Sequence, residues 1–368
     1  MRVRYRRQAA AAGVAVVALT LALGACSSSG SSAPSGSSTG TATSGGGSAN
    51  LSGTLNGSGS TLQLVYQQAA IQAFRSVQSG ITVNYGAGGS GKGRTDLASG
   101  VVNFAGSDSP IPDKETANFK GKTVLYYPIL IAPITVSYNL SGVSKLQLSG
   151  PTIAGMFSGK IKTWNDPAIK ADNPGVSLPS TPITIAHRSD SSGTTANFSQ
   201  FLVEAGGSAW TLGSSSVVNW PATSRGGSGN SGVAQIIKST PGAVGYVDYA
   251  DAKASSLVFA YIKNKDGKYV APSVDAASAA ASQATVKPDL TFSAIWAPGA
   301  SSYPITAQSW VLVYQTQSST NNTAMLKAYI GYLVGDGQKL LPNLGYAPLP
   351  SNIDQQAKAA VGKIGGAG

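Results

Sequence analysis

Three short runs rich in glycine, serine and threonine constrain this chain more than anything else in it. They are Gly57-Ser-Gly-Ser-Thr61, Gly86-Ala-Gly-Gly-Ser-Gly-Lys-Gly93 and Arg188-Ser-Asp-Ser-Ser-Gly-Thr194. Each stands where a strand or loop gives way to helical periodicity. Leu62, Val65, Ala69, Ala70, Ala73 and Phe74 recur at helical spacing and predict a helix from about Leu62 to Val77. Ile81 to Tyr85 reads as a strand before the second run, and Arg94 to Ser99 as a helical turn or two after it. Val101 to Ala105 is a further strand, delivering Gly106-Ser107-Asp108 at its carboxyl end. Leu125 to Asn139 is a long β-rich run broken at Pro128 and Pro133. Strand and helix signals then alternate: Ile183 to His187, Phe198 to Val203, Val233 to Lys238, Ala243 to Tyr246, Ser309 to Tyr314 and Ala324 to Leu333. Alternation of this kind predicts an α/β fold with mixed, mainly parallel sheets flanked by helices. In such sheets ligands sit at the carboxyl ends of strands, where all three runs fall. A guanidinium at Arg188, facing free N–H groups at a helix start, suits a tetrahedral oxyanion.

The ends set the compartment. Arg2, Arg4, Arg6 and Arg7 form a basic region before an apolar stretch from Ala9 to Leu23, the pattern of a secretory leader. A span of about 15 apolar residues is short for a membrane helix. Leu23-Gly24-Ala25-Cys26 resembles the lipobox of bacterial lipoproteins, which implies cleavage after residue 25 and acylation of Cys26. As the chain has a single cysteine, intramolecular disulfides and cysteine metal sites are excluded. Residues 26–49 are almost purely Ser, Gly, Ala and Thr after the cysteine, a flexible tether reaching roughly 25–30 Å. The folded remainder, about 318 residues, is long enough for two domains. Four of the 26 basic residues lie in the leader; the other 22 exceed the 15 acids by seven. That balance favours anionic partners, but the charges are scattered, without the basic and aromatic clustering of a nucleic-acid surface.

Other chemistries fit less well. Gly86 to Gly91 satisfies G-x-G-x-x-G, and Lys92 makes the run a near P-loop. Gly93 stands where the P-loop needs a magnesium-binding Ser or Thr, and an extracytoplasmic domain meets little nucleotide. The folded part has no G-x-S-x-G elbow (Gly36-Ser-Ser-Thr-Gly40 lies in the tether), and His187 is the sole histidine, so the usual zinc and triad arrangements are not available. Asp108 has two readings: an N-cap for the segment at Ser109-Pro110, or an acceptor for a proton carried by the anion. Inorganic phosphate keeps a proton near neutral pH and sulfate does not, so a fixed carboxylate would separate them. Arg188 is either a surface ion-pair partner or an anion ligand steadied by Asp190.

From Ser52 to Val361 the chain resembles the PstS family, the phosphate-binding proteins of Pst ABC importers. The likeness rests on Gly57 to Thr61, Tyr85 to Gly93, Phe104-Ala-Gly-Ser-Asp108, Gly159-Lys-Ile-Lys-Thr-Trp-Asn165, Arg188 to Thr194, Gly226-Gly-Ser-Gly-Asn230, Pro241 to Val247 and Tyr303-Pro-Ile-Thr306. The resemblance implies a two-lobed periplasmic-binding-protein fold of type II with the ligand cleft between lobes. Lobe one would comprise 50–131 plus 304–368, lobe two 132–303. It implies phosphate binding by Thr61, Leu62, Ser90, Asp108, Arg188, Ser192, Gly193 and Thr194, with Asp190 behind Arg188. It further implies delivery to a membrane permease from a lipid-anchored, extracytoplasmic monomer, with no cofactor, metal or catalytic step. Two departures stand out: Leu62-Gln63 replaces the family's aromatic and proline, and Lys92 replaces a glycine, adding charge near the mouth. Rival readings are a carrier of sulfate or molybdate, a secreted phosphatase, and an adhesin or phage receptor on the same scaffold.

Overall fold

A computed structural model describes residues 51–365. The leader, Cys26 and the tether lie outside the described residues. In chain order the strands are β1 (Gly53–Gly59), β2 (Ile81–Ala87), β3 (Phe104–Ser107), β4 (Val124–Tyr138), β5 (Gln147–Leu148), β6 (Thr184–Arg188), β7 (Arg225–Gly227), β8 (Ala243–Asp248), β9 (Val258–Phe259), β10 (Tyr261–Lys263), β11 (Tyr269–Val270) and β12 (Thr306–Tyr314). The large sheet runs β2-β1-β3-β12-β4-β8-β6-β7, with β9 beside β4; β11-β10-β5 form a small second sheet.

The architecture is a mixed α/β fold with two lobes, and β4 is the strand that joins them. Its residues 124–133 pair with β12, and Ile134 to Tyr138 pair with β8. At 15 residues it spans about 50 Å. Both outer parts of the sheet are parallel (β2-β1-β3 and β8-β6-β7), whereas β12 and β4 run antiparallel through the middle. Pro128 and Pro133 do not break β4, contrary to the sequence expectation. They sit where β4 has a continuous ladder on one side only, against β12, so alternate N–H groups are not required. Each half has its own apolar filling. Leu55, Tyr66, Phe74, Phe104 and Tyr329 are buried in the first, and Phe157, Phe198 and Tyr246 in the second. Phe198 stacks on Tyr246 at 4.5 Å between ring centroids and meets the edge of Phe157 at 4.7 Å.

Strand-to-helix turns follow the expected places with shifted limits. The first helix spans Leu64–Val77, preceded by a turn at residues 61–63 in which Leu64 N–H donates to Thr61 O. The glycine-rich run is not a loop throughout. A helix begins at Ser90 and continues to Ala98, packed on β1 and β3. Close approach makes that packing possible: a Cβ on Gly93 of this helix would lie 2.7 Å from Gly59 Cα and 2.8 Å from Ser58 O. A helix at Gly193–Ala205 follows β6, and another at Gly229–Ser239 follows β7. No helix among the described residues is long and apolar enough to cross a membrane.

Candidate anion-binding site

Asp108, directly after β3, is fully buried between the two halves of the sheet. Its Oδ1 accepts hydrogen bonds from Ser60 Oγ at 2.6 Å and Ser309 Oγ at 2.5 Å. Its Oδ2 faces Ser90 Oγ at 3.3 Å. Burial pushes this carboxyl above the usual carboxylate range. The Ser309, Ser60 and Ser90 hydroxyls and the Arg188 charge oppose the rise without cancelling it. The N-cap alternative is not what is seen, since the next helix is capped at Pro112.

Arg188 ends β6 on the opposite side, with its side chain almost wholly buried. Nε donates to Asp190 Oδ1 at 2.8 Å, and Nη2 pairs with Asp190 Oδ2. Nη1 donates to Asn230 Oδ1 at 3.1 Å and Thr194 Oγ1 at 3.3 Å. Four of the five guanidinium hydrogens are thereby held by protein, which locks the planar fork. Burial would raise Asp190, but the Arg188 guanidinium and the Gly229 N–H hold it below the ordinary carboxylate range. Asn230 is itself fixed through Nδ2 to Asp248 Oδ2 at 2.7 Å. Burial, with Asp251 beside it, pushes Asp248 well above the carboxylate range. Behind Arg188, the Tyr246 hydroxyl accepts the Arg188 N–H at 3.1 Å.

The two sides meet at the helix starts. Ser90 Oγ accepts the N–H of Asp108 and the N–H of Gly193, each at 3.1 Å. Gly91 N–H donates to Ser191 O at 3.0 Å, and Asn197 Nδ2 to Asp108 O at 2.6 Å. Ser192 Oγ caps its own helix by accepting Thr195 N–H at 3.1 Å. Thr61 Oγ1 is buried with no hydrogen-bond partner, and such an orphan calls for a ligand atom. Thr61 lines a cavity of about 260 Å³ with Gly88, Asp190 and Gly229. Leu62 puts its side chain in the first lobe's core, and its carbonyl accepts the Tyr346 hydroxyl at 2.8 Å.

The structure therefore brings Ser90, Asp108, Arg188, Gly193 and Thr194 together around one point. Thr61 and Asp190 share the adjoining cavity, and Ser192 and Leu62 contribute at helix starts. Sequence reasoning missed Ser60, Ser309, Asn197, Tyr246 and Asn230 as partners. Ser60 and Asn230 lay inside runs already singled out, whereas Ser309 carried no local signal. Lys92 Nζ pairs with Asp96 at 2.7 Å on the surface, with its stem beside Gly88 of the Thr61 cavity. His187 is half-buried, stacked on Trp220, with Nδ1 2.8 Å from Arg188 O.

The PBP superfamily domain matches residues 39–337. Phosphate-binding protein PstS 3 of Mycobacterium leprae is 35% identical over 323 residues, covering 84% of this chain and 87% of that one. The chain belongs to the PstS family. Phosphate-binding protein PstS of Pasteurella multocida is 33% identical over 313 residues, covering 83% and 89%. Among solved structures, a high-affinity periplasmic phosphate-binding protein (PfluDING) bound with phosphate superposes with a TM-score of 0.70 at 22% identity. It covers 84% of this chain and 94% of its own, which establishes the two-lobed fold. Within a PstS-family scaffold, the Leu62-Gln63 departure falls on a core side chain and on a buried amide beside Asp108's hydroxyl partners.

Proposed function

We propose that this chain is an extracytoplasmic substrate-binding protein that captures inorganic phosphate and delivers it to an ABC-type phosphate importer. The observation that carries this reading is a buried carboxylate, Asp108, in a cage whose other groups can all donate hydrogen bonds. A negative group beside an anion is costly unless the anion brings a proton to it. Monohydrogen phosphate does so. Thr61 Oγ1, buried without a hydrogen-bond partner, supplies a hydroxyl donor, and Leu62 an amide. Ser90, Ser192, Gly193 and Thr194 complete the cage from the two helix starts, and Arg188 supplies the positive charge. The donors belong to two lobes, taken as 50–131 with 304–368 and as 132–303, so a bound anion favours the closed arrangement. A permease reading the closed form would accept the cargo. Acylation of Cys26 and the tether of residues 26–49 would hold a monomer at the outer face of the membrane. No bond is broken in this cycle, and neither metal nor cofactor has a part in it.

Two expected results test the role of Asp108. Sites built around a ligand O–H reject an analogue lacking it by roughly 10⁴–10⁵-fold. Asp108→Asn presents an amide that can donate to sulfate, so sulfate competition rises steeply and the phosphate preference narrows by at least about 100-fold. Acidification should act likewise. Since the Asp108 carboxyl titrates above its ordinary range, lowering the pH through that value neutralises it and lets it donate. Sulfate competition therefore increases as pH falls and is weakest on the alkaline side. Radiolabelled phosphate binding with sulfate competitor, measured from pH 8 to pH 4, checks both. A preference that stays constant across that range and survives Asp108→Asn would remove the proton-reading role and favour a carrier of another oxyanion.

A further inference from the structure

Gln63, the residue that departs from the family pattern, controls both hydroxyls that reach Asp108 Oδ1. Its main-chain N–H donates to Ser60 Oγ at 3.3 Å, and its side-chain Nε2 donates to Ser309 Oγ at 2.7 Å. The amide cannot be turned over, because Nε2 also donates to Trp310 O at 2.8 Å, and a carbonyl only accepts. Its Oε1 accepts Gln67 Nε2 at 3.0 Å, and Gln67 Oε1 accepts the Tyr329 hydroxyl at 2.6 Å. All of these side chains are buried. The chain Tyr329 to Gln67 to Gln63 to Ser309 to Asp108 thus has one polarity, every donor pointing towards the carboxylate. Ser309 and Ser60, each holding an N–H on its oxygen, aim their own protons at Oδ1.

We infer that Gln63 and Ser309 are specificity-determining positioning residues: by keeping Oδ1 supplied with two hydroxyl protons, they confine proton exchange with the bound anion to Asp108 Oδ2. This rests on the phosphate reading above and extends it to the residues that set how Asp108 discriminates. Oδ2 is the less occupied oxygen, with only Ser90 Oγ at 3.3 Å, and Ser90 lies at the cage itself. The bulge between Ser309 and Trp310 in the β12–β4 ladder falls where Ser309 has to reach Asp108 and Trp310 O has to reach Gln63. Other titratable groups also act on this carboxyl. Arg188 lies across the cleft; Tyr85 on β2, Asp248 at the end of β8, and Tyr346 also interact with it. None of these is joined to Oδ1 by a hydrogen bond, so at that oxygen the two serines are the groups that oppose the rise caused by burial.

The test reads Asp108 directly. The purified full-length protein is labelled with ¹³C-carboxyl aspartate, stripped of anion, and titrated by NMR, with Asp108→Asn assigning the resonance. Ser309→Ala removes a hydroxyl donor from the charged form, and its titration midpoint should rise by about one to two pH units. Gln63→Leu keeps Ser309 but releases its orientation, and the midpoint should rise by less, with the same sign. Ser309→Thr restores a hydroxyl and should return the midpoint towards the parent value. In parallel, the pH at which sulfate begins to compete with phosphate should move up in the same order. Midpoints in Ser309→Ala and Gln63→Leu that superpose on the parent protein would overturn the inference, whatever the variants do to melting temperature. The NMR readout needs no phosphate. A parent protein that fails to bind phosphate would therefore refute the functional reading without deciding this one, which the midpoints decide alone.

Discussion

Arg188→Ala is expected to lower phosphate affinity by about 10²- to 10³-fold. The guanidinium is the one charged donor of the cage, buried and held rigid by Asp190, Asn230 and Thr194. Removing one side of a buried, hydrogen-bonded charge contact costs about 2–5 kcal/mol, a factor of ten for each 1.4. Two secondary effects add to it. Asp190 loses its ion pair and keeps backbone N–H donors, among them Gly229's at 3.0 Å. Asp108 loses the positive charge that holds its carboxyl down, so its titration rises further and it takes up a proton at higher pH. Arg188→Lys keeps the charge but loses the planar fork, and should fall between the parent and the alanine variant. Equilibrium dialysis with labelled phosphate measures all three. An alanine variant within about threefold of the parent would mean that the anion site lies elsewhere.

Gly193→Ala should weaken binding by a different route, without harming the fold. Gly193 opens the helix Gly193–Ala205, and a Cβ on it would lie 2.4 Å from Ser90 Oγ and 2.6 Å from Asp108 Cβ. Ser90 cannot simply turn aside, since it accepts two N–H groups, one of them Gly193's own. Ser90 and Asp108 follow strands of the first lobe, whereas Gly193 follows β6 of the second. The clash therefore exists only while the lobes are together. Overpacking of this kind costs about 1–3 kcal/mol, which taxes the closed state and lowers apparent affinity by about 10- to 100-fold. The melting temperature of anion-free protein should stay close to that of the parent. Solution scattering should show a population that remains open at saturating phosphate for the parent. Unchanged affinity, or an equal loss of stability without ligand, would contradict the closure argument.

Much of this was legible in the sequence because it is local. Strand-to-helix turns rich in Gly, Ser and Thr announce N–H groups that need an acceptor, and each stood within a few residues of where the helices begin. The runs holding Thr61, Ser90, Arg188 and Gly193 stood out that way and Asp108 as the residue a strand delivers, while their ligand roles came with the resemblance to the PstS family. What escaped notice depends on register or on distant chain. Ser309 lies 201 residues from Asp108 in an apolar strand, and its inward aim follows from a bulge that periodicity cannot reveal. Gln63 read only as half of a departure from the family pattern, since an amide's partners are set by tertiary neighbours. Prolines 128 and 133 read as strand breaks because their tolerance depends on which side of β4 carries the ladder. The helix beginning at Ser90 was hidden under glycines that individually disfavour helix and collectively let it pack against β1 and β3.

The most direct test of the account is calorimetric titration of anion-stripped protein at neutral pH, first with phosphate and then with sulfate. One-to-one phosphate binding, unmoved by a large excess of sulfate, is the expected result. Sulfate binding equal to or tighter than phosphate, or no phosphate binding at all, would contradict the assignment of Asp108 as the group that reads the anion's proton.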